Sequence, residues 1–250
     1  MRPRKPRPDQ RLDRREPIAQ ELYAALRKDI ISGALRPDAG LSEARIAEQF
    51  GVSRTPVREV FSRLSEEGFL RILPQVGTFV APIRLDAVRD GQFIRETLEC
   101  RTVALAAARA TAADADGLRQ QLRAQKALVA AADLQGFFAA DDALHADLIR
   151  IAGRSFVWRV IQEVKAQLDR VRYLSLESGD WLRRMLAQHE AIVDRVLDRD
   201  AAGAEAAMRE HLQTVIAAVE RIGESNAAFF EALNGTAGHR RPQLVSSTES

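Results

Sequence analysis

Four side chains in the second half of the chain have the types and the spacing of a metal site. Asp141 precedes His145 by four residues, which would place both side chains on one face of a helix, within reach of a single cation. His189 and His211 lie in later segments of helical composition, and neighbouring helices of a bundle could bring all four side chains together. Spacing alone leaves a second interpretation open, because a histidine on a helix is more often exposed or hydrogen-bonded within the core.

The donor set determines which ions and which chemistry would suit this site. One carboxylate and three imidazoles favour zinc first, with nickel, manganese or iron as alternatives, whereas calcium prefers oxygen ligands. An ion with open coordination positions in a bundle cavity would accept a carboxylate or hydroxyl from a small molecule. The ion could instead be the signal itself, or a metal-bound water could hydrolyse a substrate with Asp142 or Glu190 as the base.

A second stretch with the residue types of a binding site runs from residue 41 to residue 64. It predicts two helices joined by a tight turn, because Ser42 and Ser53 are good N-caps and Gly51 suits the turn between them. Pro56 is tolerated in the first turn of the second helix. This arrangement is a helix-turn-helix, and the alternative is a surface helical hairpin with a basic edge.

The second of these helices has one apolar face and one polar face. Four apolar residues recur at spacings of three and four and would face a core: Val57, Val60, Phe61 and Leu64. Four polar residues would face outward: Arg54, Thr55, Arg58 and Ser62. Cations and hydroxyls at an exposed helix start suit the major groove of DNA, where Arg reads guanine O6 and N7 and Ser or Thr reaches phosphates.

The elements around this stretch predict a small domain with a wing. A helix is expected over residues 17–32, and short strands at 70–72 and 78–80 would be joined by a loop through Pro74 and Gly77. Residues 17–83 are therefore expected to form a winged helix-turn-helix domain.

The rest of the chain predicts an all-helical bundle, so the fold class is mostly α. From residue 85 onward the composition favours about six helices, over 85–112, 115–132, 134–152, 154–177, 180–199 and 201–232. We expect a separate all-helical domain over residues 84–232, and a family resemblance of this segment, given below, implies that it binds a ligand and a metal and forms the dimer. A disordered basic arm is expected over 1–16 and a flexible tail over 233–250.

Charge and composition agree with this division. Residues 1–83 carry 15 Lys and Arg against 11 Asp and Glu, a net charge of +4, while residues 84–250 carry 22 against 24, a net charge of −2. The basic end holds the helix-turn-helix, as a polyanionic partner would favour. With no long apolar segment and no apolar region behind the basic start, we expect a cytoplasmic protein with no membrane partner. The single cysteine, Cys100, is expected to pack within a helix.

Residues 41–80 resemble the winged helix-turn-helix of the GntR family of bacterial transcriptional regulators, most specifically over residues 52–59 and at the Gly77-Thr78 wing. Where many members carry an Arg on the second helix, this chain has Ala44. The resemblance implies that operator DNA is contacted by Ser53, Arg54, Thr55, Arg58 and Gly77, with Gly77 at the minor groove.

Residues 85–230 resemble the helical effector domain of the FadR subgroup, the FCD domain, through the segment 95–99, Phe138 and the four metal-site candidates. In metal-binding members the matching residues hold a divalent ion, which implies that role for Asp141, His145, His189 and His211. The resemblance also implies that Arg95 pairs with the carboxylate of an effector, although the residues alone allow Arg95 simply to pair with Glu99. The chain departs from the common pattern at residues 152–155 and at Leu144.

Together these resemblances imply a dimeric regulator that is not an enzyme. It would act as a repressor on a palindromic operator, and a small organic or sugar acid bound at the metal would release it. A metal-sensing regulator and a metal-dependent hydrolase are the alternatives.

Overall fold

The structure, a computed structural model, describes residues 15–174 and 179–231. Almost all of the predicted basic arm and tail lie outside the described residues, although Arg15 and Glu16 already belong to the first helix. The chain divides into two compact units. Among the described residues, the first unit contains those up to 30, 34–82 and 227–231, and the second contains 31–33, 83–174 and 179–226.

The first unit combines three α-helices and a short 3-10 helix (Ala227–Phe229) with a small antiparallel sheet. In chain order its elements are α1 (Arg15–Ile31), β1 (Gly40–Leu41), α2 (Glu43–Gln49), α3 (Arg54–Glu66), β2 (Leu70–Leu73) and β3 (Gly77–Val80). The strands lie in the order β1-β3-β2, and Thr78 of β3 pairs with Leu41 on one side and with Ile72 on the other. The unit is therefore a winged helix-turn-helix, as predicted. Strand β1 was not predicted because two residues carry no alternating pattern.

The apolar face of α3 forms the centre of this unit. All four predicted core residues of the helix are at most 4% exposed: Val57, Val60, Phe61 and Leu64. They are buried together with the apolar residues of α1 that recur every four positions: Leu22, Leu26 and Ile30. Burying this much apolar surface is what fixes α3, since its polar face contributes little to the free energy of folding.

The turn of the helix-turn-helix has the expected backbone at Gly51, whose φ of +64° is the left-handed conformation that glycine adopts without strain. Ser42 caps α2, with its hydroxyl accepting from the N–H of Arg45 at 3.5 Å. Ser53 occupies the N-cap position of α3 with extended backbone, but its side chain makes no capping hydrogen bond. The predicted capping role of the Ser53 hydroxyl is therefore not seen.

The second unit consists of helices among its described residues. They are α4 (Leu85–Arg109), α5 (Ala112–Ala130), α6 (Leu134–Ile151), α7 (Ser155–Val164), α8 (Ala166–Leu174), α9 (Gly179–Leu197) and α10 (Ala201–Ser225). Helix α4 packs against α10 along its length and also against α6 and α9, which makes it the central helix of the bundle. Cys100 of α4 is buried, and burial raises the pKa of its thiol to about 11, which agrees with a packing role.

The single helix predicted over residues 154–177 is instead two helices, α7 and α8, which meet at Lys165. At this point the chain passes close to α4, because a Cβ on Gly91 would lie 2.6 Å from the carbonyl oxygen of Val164. The Lys165 ammonium is buried between Asp142 of α6, at 2.9 Å, and Asp169 of α8, at 2.8 Å. Tertiary contacts of this kind leave no mark on helical periodicity, so the sequence could not show the interruption. No described helix is both long and apolar enough to cross a bilayer.

Candidate metal centre and nucleic-acid interface

The four metal-site candidates come together in the interior of the helical unit. Asp141 and His145 lie on α6, His189 lies on α9, and His211 lies on α10, and each is at most 1% exposed. One ligand atom from each residue lies within 4.8 Å of all the others. Oδ1 of Asp141 is 3.2 Å from Nε2 of His189 and 4.0 Å from Nε2 of His145, and the Nε2 atoms of His145 and His211 are 3.2 Å apart. Zinc bonds of about 2.0–2.1 Å place tetrahedral ligand atoms about 3.3 Å apart, close to these spacings.

Gln125 of α5 fixes the tautomer of His189. Its Nε2 donates to the carbonyl oxygen of Ala140 at 3.1 Å, so its Oε1 faces Nδ1 of His189 at 2.7 Å. Because an amide oxygen can only accept, the proton of the His189 ring lies on Nδ1. The lone pair of Nε2 therefore points at Asp141.

Gln188 fixes the tautomer of His211 by the same logic. The Thr214 hydroxyl donates to the carbonyl oxygen of Glu210 at 2.9 Å and accepts from Nε2 of Gln188 at 2.9 Å. This leaves Oε1 of Gln188 facing Nδ1 of His211 at 3.3 Å, so Nδ1 carries the proton. In His145, Nδ1 donates to the carboxylate of Glu99.

The rings of His189 and His211 thus direct unprotonated Nε2 atoms toward the centre of the cluster, where they lie close to Nε2 of His145 and to Oδ1 of Asp141. Oδ1 of Asp141 and Nε2 of His189 are buried without a hydrogen-bond partner in the part of the chain that the structure describes. A divalent cation at this point would accept a lone pair from each of the four side chains and would satisfy both of these atoms. The residues present therefore fit a metal ion.

The protonation states also suit metal binding at neutral pH. Burial lowers the pKa of His189 and takes the pKa of His211 well below its usual value, with neighbouring histidines adding to the effect for His211. Burial opposes ionisation of Asp141, but the charge of Arg172 and the neighbouring His189 and His145 together outweigh it and hold the pKa of Asp141 well below its usual range. Arg172 donates to Oδ2 of Asp141, which leaves Oδ1 as the atom that faces the imidazoles.

Arg95, the predicted effector residue, lies on α4 and is fully buried. Its Nε donates to Glu99, whose other carboxylate oxygen accepts from His145. Burial raises the pKa of Glu99, but Arg95 and His145 lower it more, to about 2, so Glu99 is ionised. Nη1 and Nη2 of Arg95 have no hydrogen-bond partner within residues 15–174 and 179–231. The pair with Glu99 is thus present, and it uses only one of the three nitrogens of the guanidinium.

Sequence reasoning missed the residues that orient the ligands: Glu99, Gln125, Gln188 and Arg172 as a partner of Asp141. Glutamine is an ordinary residue on helix surfaces, and nothing in its spacing separates Gln125 from its exposed neighbour Gln120. The one sequence feature that could have pointed to such a residue is the position of Gln188 directly before His189. Asp142, considered as a base for hydrolysis, is instead paired with Lys165, and Glu190 is exposed.

The predicted DNA-contacting residues lie in the first unit. Ser53, Arg54 and Thr55 are exposed at the start of α3. Arg58 is exposed one turn later, and its Nε donates to Oε2 of Glu43, at the start of α2, over 2.7 Å. Gly77 is exposed at the start of β3 with a φ of +146°, so the tip of the wing has a backbone that favours glycine. The sequence-predicted cluster on α3 is thus a continuous exposed surface.

Comparison with known proteins matches each of the two units to a known domain family. Residues 18–80 match the family described as "Bacterial regulatory proteins, gntR family", and residues 92–214 match the FCD domain. The chain is 37% identical over 215 residues to the HTH-type transcriptional repressor RspR of Escherichia coli K12, covering 86% of this chain and 94% of that protein. It is 36% identical over 228 residues, 90% of this chain and 95% of the relative, to an uncharacterised HTH-type transcriptional regulator in an unstable DNA locus of Streptomyces ambofaciens.

Among solved structures, McbR/YncC of E. coli superposes with a TM-score of 0.70 at 22% identity, covering 82% of this chain and 97% of that one. At this identity the likeness concerns the fold alone. The relatives are transcriptional regulators and not enzymes, which sets the hydrolase alternative aside. The chain belongs to the GntR family of bacterial transcriptional regulators and carries an FCD domain after its winged helix-turn-helix.

Proposed function

We propose that the protein is a cytoplasmic repressor that binds a palindromic operator as a homodimer and is released by a small carboxylate-containing metabolite. Residues 17–83 read the DNA, and residues 84–232 bind the effector, hold a divalent metal and form the dimer. GntR-type regulators bind DNA and are typically dimers, and one close relative is named a repressor. A two-fold dimer presents two recognition helices to two matching half-sites, which is why the operator is palindromic.

Helix α3 reads the base edges in the major groove. Arg54 and Arg58 supply the bidentate donors that suit guanine, while Ser53 and Thr55 reach phosphates and Gly77 lets the wing approach the minor groove. Glu43 supports this role, because its ion pair with Arg58 restricts the side-chain rotamers of the arginine before DNA is bound.

The observation that carries the effector proposal is the buried guanidinium of Arg95. Two of its nitrogens lack a partner among the described residues, although a buried unsatisfied donor costs about 1–3 kcal/mol or more when charged. A carboxylate accepts from both nitrogens in the planar, bidentate geometry that arginine favours. Since Glu99 joins Arg95 to His145, the effector carboxylate would lie next to the metal centre.

The metal would be held by Asp141, His145, His189 and His211. This donor set favours zinc most, with nickel, manganese or iron as alternatives. When bound, the ion supplies a Lewis-acidic site for an oxygen of the effector. The protein's own contribution is to orient the ligands through Glu99, Gln125, Gln188 and Arg172, as outer-shell partners of metal sites do.

Effector and operator would act as antagonists by linkage. Arg95 and Glu99 lie on α4, which begins five residues after the end of β3 in the wing. If effector binding favours a packing of α4 that the operator-bound dimer does not, each ligand weakens the other by the same factor.

A metal-sensing regulator is the second candidate. Four protein ligands complete a tetrahedral shell without any organic molecule, so an ion alone could fill the site. This alternative leaves the unpartnered nitrogens of Arg95 without a role, and for that reason we place it second.

A thermal-shift screen separates the two candidates. The metal-loaded full-length protein is incubated with organic and sugar acids, and each acid that raises the melting temperature is tested again after chelation of the metal. Hits are then added to a complex of the protein with a duplex selected from a random pool, with release followed by fluorescence anisotropy. The proposal expects at least one acid that stabilises the loaded protein and releases the duplex.

The screen has a clear negative result. If no acid shifts the loaded protein, while chelation alone reversibly changes duplex affinity, the metal-sensing candidate is correct. Substituting Arg95→Met tests the carboxylate contact, since it should remove every acid hit when the variant is compared with the wild type at equal metal occupancy.

A further inference from the structure

The tip of the wing presents apolar side chains to solvent. Among the described residues, three of the six exposed large hydrophobic side chains lie within five positions of one another: Ile72 at 49%, Leu73 at 40% and Val76 at 63%. Successive strand residues point to opposite faces, so the exposure of both Ile72 and Leu73 means that the end of the hairpin projects from the unit on both faces. At its base, Leu70 and Val80 are buried. The core of the unit therefore anchors the hairpin and leaves its tip uncovered.

The backbone of the wing holds this tip in one shape. Leu73 pairs with Gly77, which leaves a loop of three residues between β2 and β3, and the N–H of Val76 donates to the carbonyl oxygen of Leu73 at 3.1 Å. Within the loop, the ring of Pro74 fixes one backbone angle and Gln75 has a φ of +60°. A loop this short has little backbone freedom left to lose when its side chains contact a partner.

The wing tip carries no ionisable side chain. Residues 72–80 contain no Lys, Arg, His, Asp or Glu, and Arg71, just before them, donates to Asp38. Charge therefore does not draw the tip itself to phosphates. Architectural proteins of the minor groove use another kind of contact, in which apolar side chains enter between adjacent base pairs, partly unstack them and kink the duplex by about 20–90°. An uncharged, apolar and rigid tip suits a contact of this kind.

We infer that the wing tip inserts Val76, supported by Leu73, into a base step of the operator from the minor groove and kinks the DNA at that step. The inference rests on the proposed function, because it needs an operator bound by the same unit. DNA is the partner of this surface because the unit belongs to a family of DNA-binding regulators and because Val76 directly precedes Gly77, the residue proposed to approach the minor groove.

Such a wedge gives the protein a second source of sequence specificity. Unstacking costs least at pyrimidine–purine steps, which are TA and CA/TG, and more in stiff A-tracts. A two-fold dimer has two wings, so each half-site should contain one flexible step at the position of the wing. The protein would select this step by its deformability and not by hydrogen bonds to its bases.

The test measures unstacking with 2-aminopurine, an adenine analogue whose fluorescence rises when it loses its stacking neighbours. A duplex that the full-length protein selects from a random pool is prepared in versions that each carry 2-aminopurine in place of one adenine. Fluorescence is measured without protein and at saturation with the wild type, Val76→Ala and Leu73→Ala. Ile18→Ala is the matched control, because it shortens an exposed apolar side chain of the same unit that lies on α1.

With the wild type and Ile18→Ala, we expect the fluorescence to rise at a pyrimidine–purine step in each half-site. Val76→Ala should bring the signal close to that of the free duplex, and Leu73→Ala should lower it in part. Val76→Ala should also weaken binding by about 10-fold, as the loss of two methyl groups from an apolar contact predicts. Replacing the located step with an A-tract step should weaken the wild type and leave Val76→Ala nearly unaffected. All three side chains are exposed, so every variant should keep the melting temperature of the wild type.

Several results would overturn the inference. A duplex that the wild type binds without a rise at any adenine would exclude the wedge and leave the proposed function intact. A rise that both wing variants retain would assign the unstacking to another part of the protein. If Val76→Ala sediments as a monomer under conditions where the wild type is a dimer, the wing tip is a contact between protomers. Failure to select any duplex would refute the proposed function, and the inference with it.

Discussion

Oε1 of Gln125 lies 2.7 Å from Nδ1 of His189, and both side chains are fully buried. Because the Nε2 of Gln125 is held by the carbonyl oxygen of Ala140, the amide cannot turn to offer a donor to the ring. The contact therefore sets which nitrogen of His189 faces Asp141. A residue with no metal-binding chemistry of its own thus prepares a metal ligand.

Removing this contact should weaken metal binding without touching a ligand. We expect Gln125→Leu to lower zinc affinity by about 10- to 100-fold, the usual effect of losing an outer-shell partner. Competition with a chromophoric chelator measures the change, and Gln120→Leu on the exposed face of the same helix is the control. Equal zinc affinity in the two variants would contradict the orienting role.

Much of the fold could be predicted because it depends on local patterns. The apolar residues of α3 recur at helical spacing, and histidine is rare enough in this chain that His189 and His211 attract notice. The interruption at Lys165 could not be predicted, since both flanking segments favour helix and the close approach of Val164 to Gly91 at this point involves a distant helix. The same applies to Gln125, whose role exists only because α5 packs against α9.

Loss of a metal ligand should separate metal binding from DNA binding. We expect His189→Ala to reduce metal affinity by more than the roughly 10- to 100-fold expected for a residue that only orients a ligand. The reason is that His189 would bind the ion directly. Operator binding should persist, since the DNA-contacting residues belong to the other unit. Elemental analysis and fluorescence anisotropy measure the two properties, with the exposed Glu190→Ala as control. Full metal content in His189→Ala would refute the ligand assignment.

The two arginines of α3 should each contribute to operator affinity. We expect Arg54→Ala and Arg58→Ala to weaken specific binding by about 1–3 kcal/mol and leave the melting temperature nearly unchanged, because both side chains are exposed. Arg63→Ala is the control on the same helix. The guanidinium of Arg63 lies over the Tyr23 ring and pairs with Glu67, so its loss should affect stability more than operator affinity. Unchanged operator affinity in both test variants would argue against α3 as the recognition helix.

Two helical glycines should respond to alanine with opposite signs. At Gly91 a Cβ would meet the carbonyl oxygen of Val164 at 2.6 Å, so Gly91→Ala should force α4 and α7 apart and cost about 1–3 kcal/mol. At Gly117 of α5 a Cβ would meet nothing within 4 Å, so Gly117→Ala should stabilise the protein by about 0.5–1 kcal/mol. Urea unfolding of the two variants measures both changes, and destabilisation of equal size at the two positions would show that close packing at Gly91 is not the cause.

The stability of the metal-free protein should depend on pH through the buried histidines. In the unfolded chain His189 and His211 take up protons near pH 6.5, whereas burial lowers both pKa values in the folded state. The unfolded state therefore binds more protons below pH 6.5, and the free energy of unfolding falls as the pH is lowered through that value. The slope should approach about 1.4 kcal/mol per pH unit for each histidine.

Carboxylates cause a separate decrease in the free energy of unfolding at lower pH. Glu99, with a folded pKa of about 2, contributes stability above its unfolded pKa of 4.5 that is lost as the pH falls toward 2. Between pH 6.5 and 5 the histidines should therefore dominate, and urea unfolding in the presence of chelator should show His211→Gln with a shallower slope than the wild type. A slope that His211→Gln leaves unchanged would mean that other groups take up the protons. The same uptake explains why metal affinity should fall in acid, since a proton on Nε2 and the ion compete for one lone pair.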